Sequence, residues 1–384
     1  MFKNKNNINH QRQALLERHP DLVEYQIGQL NMFPWGEDYH KLARLVNDAW
    51  ANTYDNQDRF DYGADYLQWV YGSAKDASVC VWGADCKDNP IGLFLGTRRT
   101  FHLYGRDMET CIHSALSVHP SVKGKGVAQL LYLTFQQIDI DCLAGFFAWY
   151  DITVKVEKPS HKILPVLDKD YYDPWGSFSL GSRVLSAERC FITSHMSASE
   201  RSVLWALTKV WRQGKICNHN NTEKITESNI EECLQFLNNT TRGIGVGRIY
   251  SAQELARYAC YHNPIYTFHS IGFLLRKLGN IIGLLIGYPL DVIGRARDRA
   301  FFVDMVCFAD ATTDIDRKAF LLECEEYIRQ EFDPFVIMTL DGRLNWRLGY
   351  FPVGKRLVCY SLPFGKEFMK KQEWKYSFPP MDHK

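Results

Sequence analysis

The sequence predicts an α/β fold in which two tandem domains of similar design build a mixed sheet. Apolar residues follow strand spacing in some segments and helical spacing in others along the whole chain. The order of these segments in the first half recurs in the second half. The 384 residues favour two domains over one, and 46% hydrophobic with 23% charged residues is typical of a globular protein with a large core.

The first half begins with a polar stretch, 1–24, which we expect to be a partly helical extension. The segments after it alternate between the two spacings. In chain order they predict a strand over 25–32, helices over 37–50 and 64–71, and a hairpin with strands over 78–85 and 90–101. The turn of this hairpin is expected near 87–90, where Asp, Asn and Pro cluster.

Residues 115–135 carry the strongest functional signal. A strand over about 110–118 ends at Val118, a loop rich in Gly and Lys follows, and Gly126 opens a helix to about 142. Backbone N–H groups at a helix start lack intrahelical partners, and the helix dipole favours negative charge there. Glycine lets the backbone approach a phosphate closely, and the lysines add positive charge. The segment therefore predicts a site for a pyrophosphate-bearing cofactor, the alternative being an ordinary turn that binds nothing.

The same loop excludes two common nucleotide motifs and matches a third. It lacks the GxxxxGK[ST] spacing of a P-loop and the GxGxxG of a dinucleotide site. It resembles motif A of the GNAT N-acetyltransferase superfamily, which reads Q/R-x-x-G-x-G/A after a strand ending in Val. The match is Lys123-Gly124-Lys125-Gly126-Val127-Ala128, preceded by Leu116-Ser117-Val118. Lys stands where the family usually has Gln or Arg, a mild departure because the family binds phosphate largely through backbone N–H groups.

The resemblance implies acetyl-CoA, or another acyl-CoA, as the cofactor. In the family, pantetheine pairs with the fourth strand like an added strand, and backbone N–H groups bind the pyrophosphate. Leu116 and Val118 would supply the pairing and polarising groups. The implied cofactor-binding residues lie on the strand end, the loop, the helix start and one later position: Leu116, Ser117, Val118, Lys123, Gly124, Lys125, Gly126, Val127, Ala128 and Ser160, which holds the place nearest to a CoA-contacting Asn of the family.

Catalytic residues follow less directly from the resemblance. The family often has a carboxylate earlier on the fourth strand, on the face shared with Val118, but the same-face positions here hold no base. Glu109 and His113 reach that face only if a β-bulge intervenes. His113 has the ordinary pKa range of a general base, and a histidine paired with a neighbour is the alternative. By order along the chain, Tyr171 and Tyr172 are the candidates for the family's general acid.

The remainder of the chain completes the first unit and repeats its order. A strand over 145–156 precedes a helix and two strands expected between 160 and 193. We assign 25–213 to a GNAT domain with the acyl-CoA site, 214–228 to a linker, and 229–384 to a second GNAT-like domain. Helices are expected over 229–238, 251–261 and 315–332, and strands over 268–277, 279–294, 299–309, 334–341 and 355–364. The glycine-rich stretch 243–248 is interpreted as a flexible loop.

The second unit differs from the first where the cofactor would bind. Its loop before the main helix, 308–316, has no glycine and no lysine and carries Asp310, Asp314 and Asp316. Acidic side chains cap a helix start well, but they repel a pyrophosphate. We therefore expect a degenerate copy that does not bind CoA.

Composition excludes several other classes of function. The formal net charge of +1 gives no support to nucleic-acid or membrane-surface binding. The first twenty residues contain no apolar stretch of signal-peptide length, and the longest apolar run, 281–294, is too short to span a bilayer. The eleven cysteines show no metal-ligand spacing, so no metal is expected and the thiols are interpreted as reduced, in a cytoplasmic protein.

The function that these observations favour is that of an acetyl-CoA-dependent N-acetyltransferase. Its partner would be an amine-bearing acceptor, either a small molecule or a peptide, whose identity the sequence leaves open together with the oligomeric state. Two alternatives remain. One is a non-catalytic acyl-CoA sensor or scaffold, and the other is an aminoacyl-tRNA-dependent peptidyl transferase-like enzyme, since such enzymes also use paired GNAT-like domains.

Overall fold

A computed structural model gives the arrangement of most of the chain. The residues that it describes are 5–29, 38–53, 57–71, 78–103, 105–139, 146–151, 173–211, 221–243, 246–262, 268–339, 344 and 348–361. Among them is no helix that is both long and apolar enough to cross a membrane.

Among the described residues, the first half contains six α-helices and seven strands. The helices are α1 Lys5–Arg18, α2 Tyr39–Thr53, α3 Ala64–Val70, α4 Val127–Asp139, α5 Ala187–Thr193 and α6 Ala198–Trp211. The strands are β1 Gln26–Gln29, β2 Arg59–Asp61, β3 Ser78–Ala84, β4 Pro90–Leu103, β5 Arg106–Val118, β6 Phe146–Asp151 and β7 Asp173–Val184.

The second half contributes the remaining described elements. Its helices are α7 Ile230–Arg242, α8 Ala252–Ala259 and α9 Asp314–Phe332. Its strands are β8 Thr222–Lys224, β9 Val246–Ile249, β10 Ile271–Lys277, β11 Asn280–Ile293, β12 Arg297–Phe308, β13 Val336–Thr339 and β14 Phe351–Ser361.

All these strands belong to one mixed sheet. Its order is β1-β3-β4-β5-β6-β14-β7-β13-β12-β11-β10-β8, with β2 beside β11 and β9 beside β4. Each half contains a parallel pair after a long antiparallel hairpin, β5 with β6 and β12 with β13. The mixed sheet and the repeated order confirm the expected fold class of two tandem GNAT-like domains.

The halves exchange strands at the centre of the sheet. Strand β14 of the second half lies between β6 and β7 of the first half, and β7 in turn pairs with β13. Strand β2 of the first half also pairs with β11 of the second. The domain boundaries 25–213 and 229–384 remain a prediction, but the strand pairing does not respect them.

Most predicted elements are present, and a few expectations were wrong. The glycine-rich stretch expected to be a loop contains β9, because Val246–Ile249 completes the edge of β4. The expected linker contains β8, which pairs with β10. Strand β2 and helices α5 and α6 were not predicted. Between 160 and 193, where a helix and two strands were expected, the described residues contain β7 followed by α5, and residues 160–172 lie outside the described part of the chain.

Close packing of α4 against the sheet positions the loop that precedes it. A Cβ atom at Gly92 of β4 would lie 2.6 Å from Leu131 Cδ1 and 3.2 Å from Val127 Cγ1, so only glycine allows this approach. Val127, Leu130 and Leu131 are buried there. The start of α4 is thereby fixed beside the end of β5, as the apolar spacing of this helix predicted.

Candidate functional site

The connection from β5 to α4 forms a turn with two left-handed glycines. A 3-10 turn over Pro120–Val122 follows the strand, and Gly124 and Gly126 have φ angles of +82° and +84°. Non-glycine residues rarely adopt this region. The two glycines of the predicted motif are therefore required by the path of the backbone itself.

Several backbone N–H groups of this turn are open. Lys123 and Lys125 donate to carbonyl oxygens of the preceding 3-10 turn at 3.2 Å each. The N–H groups of Gly124, Gly126, Val127 and Ala128 meet no acceptor among the described residues. They lie at the positive end of the α4 dipole, as an anion site requires.

The lysine side chains and His119 complete the polar surface of the turn. Lys123 and Lys125 are exposed, so both can move toward a bound anion. The His119 side chain instead stabilises the turn itself, because its Nδ1 lies 2.7 Å from Ser121 Oγ and accepts from Ser121 N at 3.3 Å. His119 is therefore a capping residue of the 3-10 turn.

The N-terminal segment packs against the turn. A Cβ atom at Gly126 would lie 3.1 Å from His19 Cδ2 and 3.2 Å from Leu22 Cδ1. Ile8, Leu15 and Leu22 are buried in one cluster with Val122 and Val127, which flank the loop on both sides. The polar composition of this segment did not predict that role. The signal for it was the seven-residue spacing of Ile8 and Leu15, which places them on one face of α1, whereas Leu22 lies in the 3-10 turn Pro20–Glu24 that follows.

Strands β5 and β6 separate next to this loop. Their parallel pairing covers only Cys111–His113 with Phe146–Ala148, and β6 continues along β14 on its other side. From Ser114 onward, β5 has no strand on its β6 side within the described part of the chain. Among the described residues, the edge of β5 that faces β6 is therefore open from Ser114 to Val118.

Val118 directs its backbone groups into that opening. The N–H of His119 donates to Ile91 O on β4 at 2.8 Å. Successive residues of a strand turn their N–H and C=O groups to opposite edges. The N–H and C=O of Val118 therefore point away from β4, toward the side where β6 has separated.

A β-bulge in β5 changes the register of the candidate bases. Leu93 pairs with Ser117, whereas Leu95 pairs with Ser114, so one residue of β4 lies opposite two of β5. The extra residue inverts the alternation, which brings the register positions of Glu109 and His113 to the face of Val118. A bulge at this position is the condition under which either residue reaches that face.

Glu109 and His113, the two candidates for the general base, differ in their distance from the bulge along β5. His113 is next to the bulge and pairs through its backbone with Gly96 and Ala148. Glu109 is exposed and precedes the bulge by six extended residues, roughly 20 Å at the usual rise of a strand. The structure therefore does not bring Glu109 to the bulge, and His113 is the nearer of the two.

The remaining predicted site residues lie elsewhere. Ser117 is 1% exposed, and its Oγ accepts a hydrogen bond from Trp50 Nε1 of α2 at 3.0 Å. Its side chain thus faces α2, whereas Leu116 and Val118 pack toward α4. Ser160, Tyr171 and Tyr172 lie outside the described residues.

The corresponding loop of the second half is closed by its own side chains. Thr313 and Asp316 form a capping box at the start of α9, and Lys277 Nζ lies 2.8 Å from Asp316. These contacts use the groups that an anion would need, and Asp314 and Asp316 add negative charge. The β5–α4 turn and the loop before α9 occupy equivalent positions in the two halves. They differ in net charge and in the number of backbone N–H groups that are open to an anion.

Comparison with known proteins identifies the fold. No protein-family model matches the chain, and no curated protein matches its sequence significantly. Among solved structures, N-myristoyltransferase of Saccharomyces cerevisiae with bound myristoyl-CoA superposes with a TM-score of 0.67 at 12% identity, over 88% of this chain and 79% of that one. A second structure of this complex gives 0.67 at 13% identity, over 89% and 83%. A third, with inhibitors also bound, gives 0.66 at 12%, over 89% and 80%.

Proposed function

We propose that this chain is an acyl-CoA-dependent N-acyltransferase whose cofactor binds at the β5–α4 turn. The observation that carries the proposal is the set of open N–H groups of Gly124, Gly126, Val127 and Ala128, placed beside the opening between β5 and β6. A diphosphate fits the first feature, and an extended thioester arm fits the second. Lys123 and Lys125 would add charge-assisted contacts to the phosphates.

The reaction would be a direct transfer. The neutral amine nitrogen of the acceptor attacks the thioester carbonyl carbon, the carbon–sulfur bond breaks, and CoA leaves as a thiol after taking up one proton. The Val118 N–H would stabilise the oxyanion that forms on the carbonyl oxygen. The proton lost by the amine would pass to a base, for which we propose His113, and Tyr171 or Tyr172 would supply the proton of the thiol.

For the acyl group we propose a long chain, with acetyl as the alternative. The solved structures that share this fold over both halves contain myristoyl-CoA. The motif of the turn would contact the diphosphate, which all acyl-CoA molecules share. It therefore does not distinguish a long acyl chain from acetyl. The acceptor that we propose is a peptide or small molecule with a free amine.

Turnover with two cofactors tests this proposal. The full chain is incubated with acetyl-CoA or myristoyl-CoA and a panel of amines and peptides with free N-termini, and both free CoA thiol and acceptor mass are measured. We expect transfer above the background rate, faster with myristoyl-CoA. Binding without consumption of any acceptor would favour the sensor, and absence of binding with either cofactor would contradict the proposal.

A pair of charge reversals tests the location of the site. Lys125→Glu places an anion at the turn and should weaken acyl-CoA binding about tenfold, the scale of one lost charge-assisted contact. Lys87→Glu reverses an equally exposed lysine in the turn between β3 and β4 and should leave affinity unchanged. Equal affinities for both variants would place the cofactor elsewhere.

A further inference from the structure

We propose that Trp50 is a positioning residue of the acyl-transfer site, acting through its hydrogen bond to Ser117. This inference rests on the proposed function. The indole N–H of Trp50 donates to Ser117 Oγ at 3.0 Å across 67 residues of sequence. Ser117 lies between Leu116, which is in the bulge, and Val118, whose backbone groups face the opening.

The bulge needs such an anchor because it interrupts the pairing of β5 with β4. Two residues of β5 share one partner there, so one of them makes no regular ladder contact. From Ser114 onward, β5 also has no strand on its far side in the described part of the chain. The stretch that would polarise the thioester is held by the pairing of Ser117 and Val118 with β4, by the Ser117 hydroxyl and by the bond from His119 N to Ile91 O.

Trp50 is held firmly enough to serve as this anchor. Its ring makes an edge-on contact with Tyr62, with centroids 5.0 Å apart and planes at 82°. Asn47, one turn earlier on α2, accepts from Tyr62 N at 3.2 Å and donates to Asp61 Oδ1 at 2.7 Å. Asp61 in turn pairs with Arg297 of the second half at 2.7 Å. The indole thus projects from a helix that both halves fix.

Loss of the hydrogen bond between Trp50 and Ser117 should affect the chemical step more than cofactor binding. The diphosphate contacts lie on the other side of Val118, in the turn, and do not depend on the bulge. A loosened bulge would misdirect the Val118 N–H relative to the thioester oxygen, and donors to an oxyanion act only in the right orientation. Loss of the Trp50–Ser117 bond should therefore lower kcat and leave the Kd for acyl-CoA almost unchanged.

The test compares two indole N–H deletions. Trp50→Phe keeps a ring and removes the donor to Ser117, and we expect kcat to fall about tenfold with the acyl-CoA Kd within twofold of wild type. Trp69→Phe is the control, since Trp69 also donates its N–H within the core, to Arg257 O at 3.0 Å. It should lose comparable thermal stability but keep kcat.

Two further measurements separate positioning from packing. Ser117→Ala combined with Trp50→Phe should lower kcat no further than either single change, because both remove one bond. Hydrogen exchange of the peptide covering 114–119 should accelerate in Trp50→Phe and not in Trp69→Phe. A wild-type kcat in Trp50→Phe, or exchange that is unaltered, would overturn this inference alone. Wild-type protein that binds no acyl-CoA would overturn the proposed function, and this role with it.

Discussion

At the scale of single residues, the candidate site depends on backbone conformation more than on side-chain chemistry. Gly124 and Gly126 hold φ angles that turn successive N–H groups outward, and no substitution at either position is free of strain. Gly126 carries a second constraint, because His19 and Leu22 lie against it. A side chain there would disturb both the turn and the segment beneath it.

Gly126→Ala should therefore weaken acyl-CoA binding by tenfold or more. The methyl group would lie 3.1 Å from His19 Cδ2 in a conformation that costs about 1–2 kcal/mol for alanine, so the loop must shift. Gly105→Ala is the matched control, since Gly105 has a φ of +88° but nothing within 4 Å of the added carbon. Calorimetric titration with acyl-CoA measures both variants, and equal affinities would argue against the turn as the site.

The residues of the turn could be predicted from sequence, whereas the geometry around them could not. The spacing of glycine and lysine suffices to predict an anion site because the chemistry is local. The bulge in β5 is invisible in the sequence, because Ser114 and Ser117 give no sign that the alternation is inverted between them. The bond from Trp50 to Ser117 joins distant segments and depends on how α2 packs.

At the scale of elements, the N-terminal helix packs in the apolar cluster that flanks the candidate site. The sequence predicted a polar extension because most of 1–24 is polar, and that description holds for one face of α1. The other face packs on α4 through apolar residues spaced by seven, and it ends in the turn that contacts Gly126. The N-terminal segment therefore packs against both α4 and the loop that precedes it.

Leu15→Ala should lower both stability and cofactor affinity. Leu15 is 1% exposed within the cluster beneath the loop, and deletion of such a side chain costs about 2–5 kcal/mol. Leu278→Ala removes a leucine that is 96% exposed and should change the free energy of unfolding by under about 0.5 kcal/mol. Urea denaturation and acyl-CoA titration report the two effects, and an unchanged affinity in Leu15→Ala would show that α1 does not support the turn.

The tip of the β4–β5 hairpin is tied to α7 by charge. His102 Nδ1 lies 2.6 Å from one oxygen of Asp107, and Arg242 donates to the other at 3.0 Å. The hydrogen bond with His102, followed by that from Arg242, holds the pKa of Asp107 below its ordinary value. A carboxyl group with a lowered pKa stabilises the folded state above its unfolded pKa, and this stabilisation is lost as the pH falls.

Asp107→Asn should therefore show a stability deficit that depends on pH. The urea midpoint of the variant should lie below that of wild type at pH 7 and pH 5. The difference should shrink as the pH falls below about 4, the pKa of an unfolded Asp, and be lost as the pH falls through the lowered pKa of folded Asp107. Asp48→Asn removes an exposed carboxylate of α2 and serves as control. A deficit that persists unchanged at pH 3 would mean that the carboxylate charge is not its cause.

The local sequence pattern predicted the strands that are buried along most of their length. It did not predict strands that form only because a neighbouring strand is available to pair with them. The runs that form β10, β11 and β12 are almost continuously buried, so their apolar sequence alone identifies them. Strand β9 reads as a glycine-rich loop and becomes a strand only because β4 extends far enough to pair with it. Strand β2 has three residues, too few for any periodicity to appear.

At the scale of the whole molecule, the two halves repeat the same order of elements, but they are not structurally independent of each other. Each half completes the sheet of the other through β7 and β14. The main core cluster also combines both halves, with Trp69 of α3 against Tyr288 of β11 at 4.9 Å and Phe60 of β2 against Phe302 of β12 at 6.2 Å. A sequence repeat cannot predict this exchange, because it depends on which edge the last strand joins.

The two halves should consequently fold only together. A fragment of residues 1–213 would lack β13 and β14, leaving β7 without either partner, β6 with β5 alone, and the aromatic core of α3 exposed to water. We expect this fragment to be insoluble alone and to become soluble, with acyl-CoA binding, when it is produced together with residues 214–384. Calorimetry of the full chain should show one cooperative transition, since neither half keeps a complete sheet when the other unfolds. Two separate transitions, or a folded fragment that binds acyl-CoA by itself, would mean that the strand exchange contributes little to stability and that the first half is an autonomous domain.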